Sequence, residues 1–350
     1  MSPPAPSRAL PRPRLGMPLA APVLGSAVVA LVLGGCVAVG TPGASNPPSA
    51  SGAGPAGGAG SGPGGAAVPT DPGSATAGVP TDPGSGAAGG SGDGTVGGGV
   101  PASGALAAAW ARLRPTLAAR QVGVAILPVG AAAGTEPVLL GEWRTGAAWS
   151  TSKVALSVAA LAAATPAQLA ARRTLARSAI TESNNAAALA LWAQLGGGSS
   201  AAAQVDAVLA AHGDPLTRTQ AQQVRPPYTP FGQTTWSLAA QTRFAAGLVC
   251  DTGSPAVTET LALMERISAG QRWGLGRLTE PVFKGGWGPG PDGGYLVRQF
   301  GVVTIAGHRY AVAVATLPRG GGFEQGIGVL DAVARWLPAQ ALTPGPGCPA

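Results

Sequence analysis

Two residues carry much of the chemical information in this sequence. Of 22 basic side chains, only Lys153 and Lys284 are lysines, and the rest are arginines. A lysine that stands where arginine is the default marks a position a guanidinium does not serve. Lys153 closes the run Ser150-Thr151-Ser152-Lys153. Residues three apart share a helix face, so its amine can reach Ser150. A hydroxyl is a weak nucleophile until a base takes its proton. An amine can be that base when burial and positive neighbours lower its pKa, whereas arginine stays protonated. Ser150 stands just before a long apolar run, where an N-cap belongs. A helix N-terminus there also favours developing negative charge.

Two further stretches could work with this pair. Ser183-Asn184-Asn185 places a hydroxyl and an amide two residues apart, between helical segments. Such groups could relay a proton and hold an amide, although their commoner use is as turns and caps. Lys284-Gly285-Gly286-Trp287 ends a strand-like stretch. It offers a positive charge beside glycines that let a substrate lie along a strand edge, or simply an ion-pairing lysine before a turn. Nothing points to a metal site or an organic cofactor. Neither of the two histidines, His212 and His308, has a triad setting, which disfavours Ser-His-Asp chemistry.

In this order, the three stretches resemble the S-x-x-K, S-D-N and K-T-G elements of class A β-lactamases and penicillin-binding proteins. The resemblance covers roughly residues 105 to 340. It implies that Ser150 is acylated and Lys153 activates it. Ser183 would pass a proton to the leaving nitrogen, Asn185 would contact the substrate amide and Lys284 would assist electrostatically. Gly286 would line the substrate strand, and the N–H groups of Ser150 and Trp287 would form an oxyanion hole.

The departures matter as much. Asn184 replaces the usual acid of the second element. Gly285 replaces the usual hydroxyl residue of the third, a ligand for a substrate carboxylate; Arg298, on the following strand, could compensate. Class A β-lactamases also use a Glu on a loop after the second element to deacylate the enzyme. This chain has no Glu between Ser183 and Thr258, and Asp206 and Asp214 are the acids that could substitute. Efficient β-lactamase turnover is therefore not expected. The leading expectation is a serine acyl-enzyme hydrolase acting on a cell-wall peptide or a related amide or ester. A catalytically degenerate module that binds peptidoglycan or a protein, and a weak β-lactamase, are the alternatives.

The elements needed to position these residues can be read coarsely. Ala105 to Ala119 has helical spacing, with Leu106, Trp110, Leu113 and Leu117 on one side. Strands are expected at Val122–Pro128 and Val138–Trp143, then an all-buried helix at Thr151–Ala164. Mostly helical chain follows to about Leu248, with breaks at Gly196–Ser200 and Pro226-Pro227. Three strands at Val282–Gly286, Tyr295–Ile305 and Arg309–Leu317, and a helix at Glu324–Leu337, complete the pattern. The fold class is α/β (α+β): an antiparallel sheet with flanking helices and an all-helical insertion, as the resemblance also implies.

The N-terminal third reads as an address and a tether. Arg8, Arg12 and Arg14 precede an apolar stretch that ends in Leu33-Gly34-Gly35-Cys36, the pattern of a secretory signal. Its end resembles the bacterial lipobox, which implies cleavage before Cys36 and lipidation of that residue as a stable membrane anchor. An uncleaved transmembrane helix is the alternative; both place the domain outside the cytoplasm. Residues 36–100 are rich in Gly, Pro, Ser and Ala and read as a disordered spacer. The expected organisation is signal peptide 1–35, linker 36–100, domain 101–340 and tail 341–350. Cys250 and Cys348 are left to pair in an oxidising compartment. The formal charge of +7 comes from scattered arginines, which is no nucleic-acid footprint. The expected partners are a cell-wall peptide or β-lactam-like small molecule, with a monomeric chain.

Overall fold

The computed structural model describes residues 98–349. The signal segment, Cys36 and nearly all of the linker lie outside the described residues. Chain order begins with β1 (Val100–Pro101), α1 (Gly104–Leu113), β2 (Ala119–Pro128), β3 (Val138–Gly141) and β4 (Thr145–Ala147). A helical block follows: α2 (Lys153–Ala162), α3 (Pro166–Thr181), α4 (Asn185–Gln194) and α5 (Gly198–Ala211). Then come β5 (Thr235–Ser237), α6 (Leu238–Cys250), α7 (Pro255–Met264), β6 (Thr279–Pro289), β7 (Tyr295–Ile305), β8 (His308–Pro318) and α8 (Phe323–Trp336).

The main sheet has the order β1-β3-β2-β8-β7-β6. All its pairs are antiparallel except the short β1–β3 pair, so the sheet is mixed rather than purely antiparallel. β6 is an edge strand. In β8 every residue from Tyr310 to Thr316 is buried, as a strand covered on both faces requires. On one face Phe300 meets Phe244 of α6 at 6.1 Å, and on the other Gly326 of α8 lies close against Val297.

Several boundaries depart from the sequence expectations for local reasons. The first helix stops at Leu113 because Pro115 follows, and a short 3₁₀ turn takes over at Arg114–Thr116. The helix expected from Thr151 starts at Lys153; a 3₁₀ turn, Trp149–Ser152, precedes it. Ser150 thus sits inside that turn rather than at a side-chain cap. The insertion is not all-helical, since β5 pairs with β4 in a small second sheet. Sheet pairing starts at Val100, within the stretch read as linker.

Residues 153–161 of α2 are all buried, so this helix is the axis around which α3, α4, α5 and α7 pack. Its C-terminal carbonyls need donors, and Arg172 of α3 supplies one to Ala160 O at 2.6 Å. The C-terminal tail is tied back, with Tyr310 Oη donating to Leu342 O. Cys250 and Cys348 are joined by a disulfide, their Cα atoms 5.1 Å apart. No helix among the described residues is long and apolar enough to cross a membrane.

Candidate active site

Three consecutive hydroxyls, Ser150, Thr151 and Ser152, enter α2, and the fold spends two of them locally. Thr151 Oγ1 donates to Ala148 O, and Ser152 Oγ to Trp149 O at 2.7 Å. Both are buried, whereas Ser150 is only half-buried. The hydroxyl of Ser150 makes no hydrogen bond among the described residues. The residue before it, Trp149, has φ +50°. A non-glycine residue in that region costs energy and persists only where surrounding structure imposes it. Here the indole is wedged between Gly288 of β6 and the Tyr228 ring, whose centroid is 5.0 Å away.

The two lysines meet at Ser183. Lys153 is buried, and its Nζ donates to Ser183 O at 2.5 Å and to Asn185 Oδ1 at 2.6 Å. Lys284 is also buried, and its Nζ donates to Ser183 Oγ and to Gly285 O, both at 3.0 Å. Burial pushes the Lys284 amine down to about 7. Ser183 itself takes φ +60° in the short link between α3 and α4. That conformation lets its carbonyl and its hydroxyl face different lysines. Asn184 caps α4, accepting from Ala187 N at 3.0 Å. An amide serves this capping as well as a carboxylate does, which accounts for Asn at the middle of the second element.

β6 is laid tightly against the Ser150 turn. A methyl group on Gly286 would stand 2.8 Å from Ser150 N, 2.9 Å from Thr151 N and 3.0 Å from Ala148 O. Only glycine permits that approach. The side chain of Lys284 and the side of Gly286 on which a Cβ would stand share the face that meets Ser150, as strand alternation requires. Trp287 lies on the opposite face, where its ring contacts Phe323 of α8, so only its backbone belongs to the Ser150 side.

Arg298 requires a correction. It pairs with Gly286 across β6 and β7, but its guanidinium is fully buried and no ligand for a substrate carboxylate. Nη1 donates to Gly146 O and Ala147 O at 3.0 and 2.8 Å, and Nη2 to Trp236 O and Gln241 Oε1 at 3.0 and 2.5 Å. Gln241 in turn donates to Thr151 Oγ1 at 2.9 Å. Arg298 thus braces the backbone just before Ser150 from below. Its burial lowers its own pKa to about 9.

The acids that could have replaced a deacylating Glu are spent on structure. Asp214 is buried and accepts from Thr217 N and Trp236 Nε1, and Asp206 accepts from Thr219 N. They hold the loop after α5 in place. Further along this loop, Arg225 donates to Pro289 O at the end of β6 and stacks on Tyr228 at 5.1 Å. Trp149, Tyr228, Arg225 and Gln241 were not singled out in the sequence, where nothing distinguishes them from ordinary core or loop residues.

As a chemical device, this is a pair of buried amines bridged by one serine, with a half-exposed hydroxyl three residues before one of them. A neutral amine has two N–H donors, enough for Ser183 O and Asn185 Oδ1.

No family model matches the chain, and no curated protein does. Its structure is similar to that of a class A β-lactamase from Bacteroides cellulosilyticus DSM 14838, with TM-score 0.52 and 15% identity, covering 68% of this chain and 100% of that one. The TLA-3 extended-spectrum β-lactamase gives 0.51 and 15%, covering 67% of this chain and 98% of that one. A β-lactamase from Chitinophaga pinensis DSM 2588 gives 0.51 and 16%, covering 65% and 96%. The fold is therefore that of the class A β-lactamases.

Proposed function

We propose that this chain is an extracytoplasmic, lipid-anchored serine hydrolase that forms an acyl-enzyme at Ser150. Its substrate class is a cell-wall peptide or a related amide or ester. The observation that carries this reading is the bridge Lys153–Ser183–Lys284 beside a half-exposed serine. It gathers both lysines of the chain in one place. Burying two amines is costly unless their chemistry is used or their hydrogen bonds are met.

In this reading Lys153 takes the Ser150 proton while Oγ attacks the substrate carbonyl. The tetrahedral oxyanion rests on the N–H groups of Ser150 and Trp287. Ser183, held by Lys284, gives its hydroxyl proton to the leaving nitrogen or oxygen and is reprotonated by the proton Lys153 took from Ser150. The open edge of β6 offers backbone groups to an extended peptide, a common mode of peptide recognition. Lipid on Cys36 would keep the domain at the outer face of the membrane, where such peptides are made.

A second reading has one specific observation in its favour. Asp206 and Asp214 are tied to backbone and indole N–H groups, and a module that binds without turnover would look much the same. Intact mass after incubation with a fluorescent penicillin and with an activated phenyl ester separates the two. A hydrolase gains one acyl group, lost in Ser150→Ala and in Lys153→Arg with both variants folded. An unlabelled wild-type chain, or an Arg variant labelled at the wild-type rate, contradicts the proposal.

A further inference from the structure

The free edge of β6 has an end, and a cation stands at it. Gly290 N donates to Gly294 O in the turn to β7, so Gly290 faces the partner strand. Backbone groups of an antiparallel strand alternate between its two sides. The carbonyl of Pro289 and the N–H and carbonyl of Trp287 therefore point to the free edge. So does Gly285 O, which accepts from Lys284 Nζ. The Trp287 N–H is the one assigned to the oxyanion. Pro289 lies two residues beyond it, roughly 7 Å along the strand. There Arg225 Nη1 donates to Pro289 O at 3.1 Å.

The guanidinium is also tied to the Ser150 turn. It stacks on Tyr228 at 5.1 Å, and the Tyr228 ring meets that of Trp149, the residue before Ser150, at 5.0 Å. A methyl group on Gly288, between Trp287 and Pro289, would stand 2.5 Å from Trp149 Cζ2. Arg225, the Ser150 turn and the edge strand are thus joined by direct contacts. The loop presents Arg225 from a closed turn: Tyr228 N donates to Arg225 O at 3.0 Å, and the amides of Gln223 and Gln233 donate to Tyr228 O at 3.0 and 2.9 Å. A guanidinium has five N–H donors, and among the described residues one of those on Arg225 is spent, on Pro289 O. Arg225 is half-buried, so a ligand can reach the rest. The sequence has no Asp or Glu between Asp214 and Asp251, and the formal charge this loop brings to the site is positive.

The geometry points to Arg225 as a specificity-determining residue that selects acyl donors with a carboxylate on the acyl side, about two residue lengths from the reacting carbonyl. This inference rests on the acyl-enzyme reading. A peptide that adds antiparallel to β6, with its reacting carbonyl on Trp287 N–H, runs its acyl side towards Pro289, because the two chains run in opposite directions. Two residues upstream its own N–H would seek Pro289 O, which Arg225 already occupies. A neutral extended chain meets a competing donor there. A carboxylate at that point instead accepts from the unspent N–H groups of the guanidinium, in the planar geometry that arginine offers to carboxylates.

A matched pair of donors tests it. The nitrophenyl ester of N-succinylglycine carries a carboxylate about two residue lengths before the reacting carbonyl, and its succinyl methyl ester is the same donor without that charge. Acylation of Ser150 by each is followed by intact mass. The expected result is acylation about three- to tenfold faster by the free acid, as one partly exposed charge-assisted contact provides. The ratio should fall towards one in Arg225→Gln and, for wild type, at high salt, while Arg225→Lys should keep part of it. Equal or faster acylation by the methyl ester in wild type, or an unchanged ratio in folded Arg225→Gln, overturns the assignment and leaves the acyl-enzyme reading standing. If neither ester labels Ser150, the acyl-enzyme reading fails and the assignment fails with it.

Discussion

Gly286→Ala is the substitution whose outcome the geometry fixes most tightly. Its new methyl would stand 2.8 Å from Ser150 N and 2.9 Å from Thr151 N. Ordinary contacts to carbon run at about 3.5–4.0 Å, so the methyl is roughly 0.7 Å or more too close. All the atoms it meets are backbone, and no side chain can swing aside. Either β6 or the Ser150 turn must move, and these carry the two N–H groups assigned to the oxyanion. Overpacking of this kind costs about 1–3 kcal/mol of stability. A displacement near 1 Å at reacting groups costs about 10²-fold in rate. The assay is paired: denaturant unfolding for stability, and labelling by a fluorescent penicillin or activated ester for rate. Gly285→Ala is the control, because its methyl meets only side chains, the Trp273 ring at 3.3 Å and Gln299 Cγ at 3.7 Å, on the face away from Ser150. It should keep most of the rate. A folded Gly286→Ala variant that is acylated as fast as wild type would refute the assigned oxyanion geometry.

Two other expectations follow from the lysine pair and the leader. The Lys284 amine is lowered from 10.5 to about 7 by burial, roughly 5 kcal/mol against its charged form. A base depressed in the folded state carries that penalty fully below about pH 7 and sheds it as the pH rises towards 10.5. Measured against Lys284→Met, wild type should therefore gain stability between pH 7 and 10 in denaturant titrations, and a difference that stays flat contradicts the burial. Cys36→Ala should release the chain from the membrane fraction; unchanged, detergent-requiring attachment would indicate a transmembrane anchor instead.

The two candidate lysines were legible because lysine is rare here. Two lysines among many arginines, each in a short motif, marked positions that the fold brings together at Ser183. The apolar run after Ser150 announced a buried helix for the same simple reason. What surrounds them was not legible. Arg298 could be placed on a strand, yet sequence did not reveal that β4, β5 and α6 would cover its side chain. Arg225 and Pro289 lie in separate segments, and only the packing of the loop after α5 against the edge strand unites them. Trp149 takes its unusual backbone from contacts with Gly288 and Tyr228, which no local propensity encodes. Helix ends moved where a local rule prevailed, as at Pro115, or where a tight 3₁₀ turn replaced the first helical turn at Ser150.

The fate of the acylated Ser150 tests the central claim most directly. Hydrolysis of the ester needs a base to activate a water, and Asp206 and Asp214 are tied to backbone and indole N–H groups. General-base help is worth about 10²–10⁴-fold, or roughly 3–5 kcal/mol of barrier. Stopped-flow ring opening of a chromogenic cephalosporin, with parallel intact mass, reads this step. The account predicts one equivalent of fast ring opening, a very slow steady rate afterwards and label retained on Ser150. Rapid multiple turnover, or ring opening that survives Ser150→Ala, would contradict it.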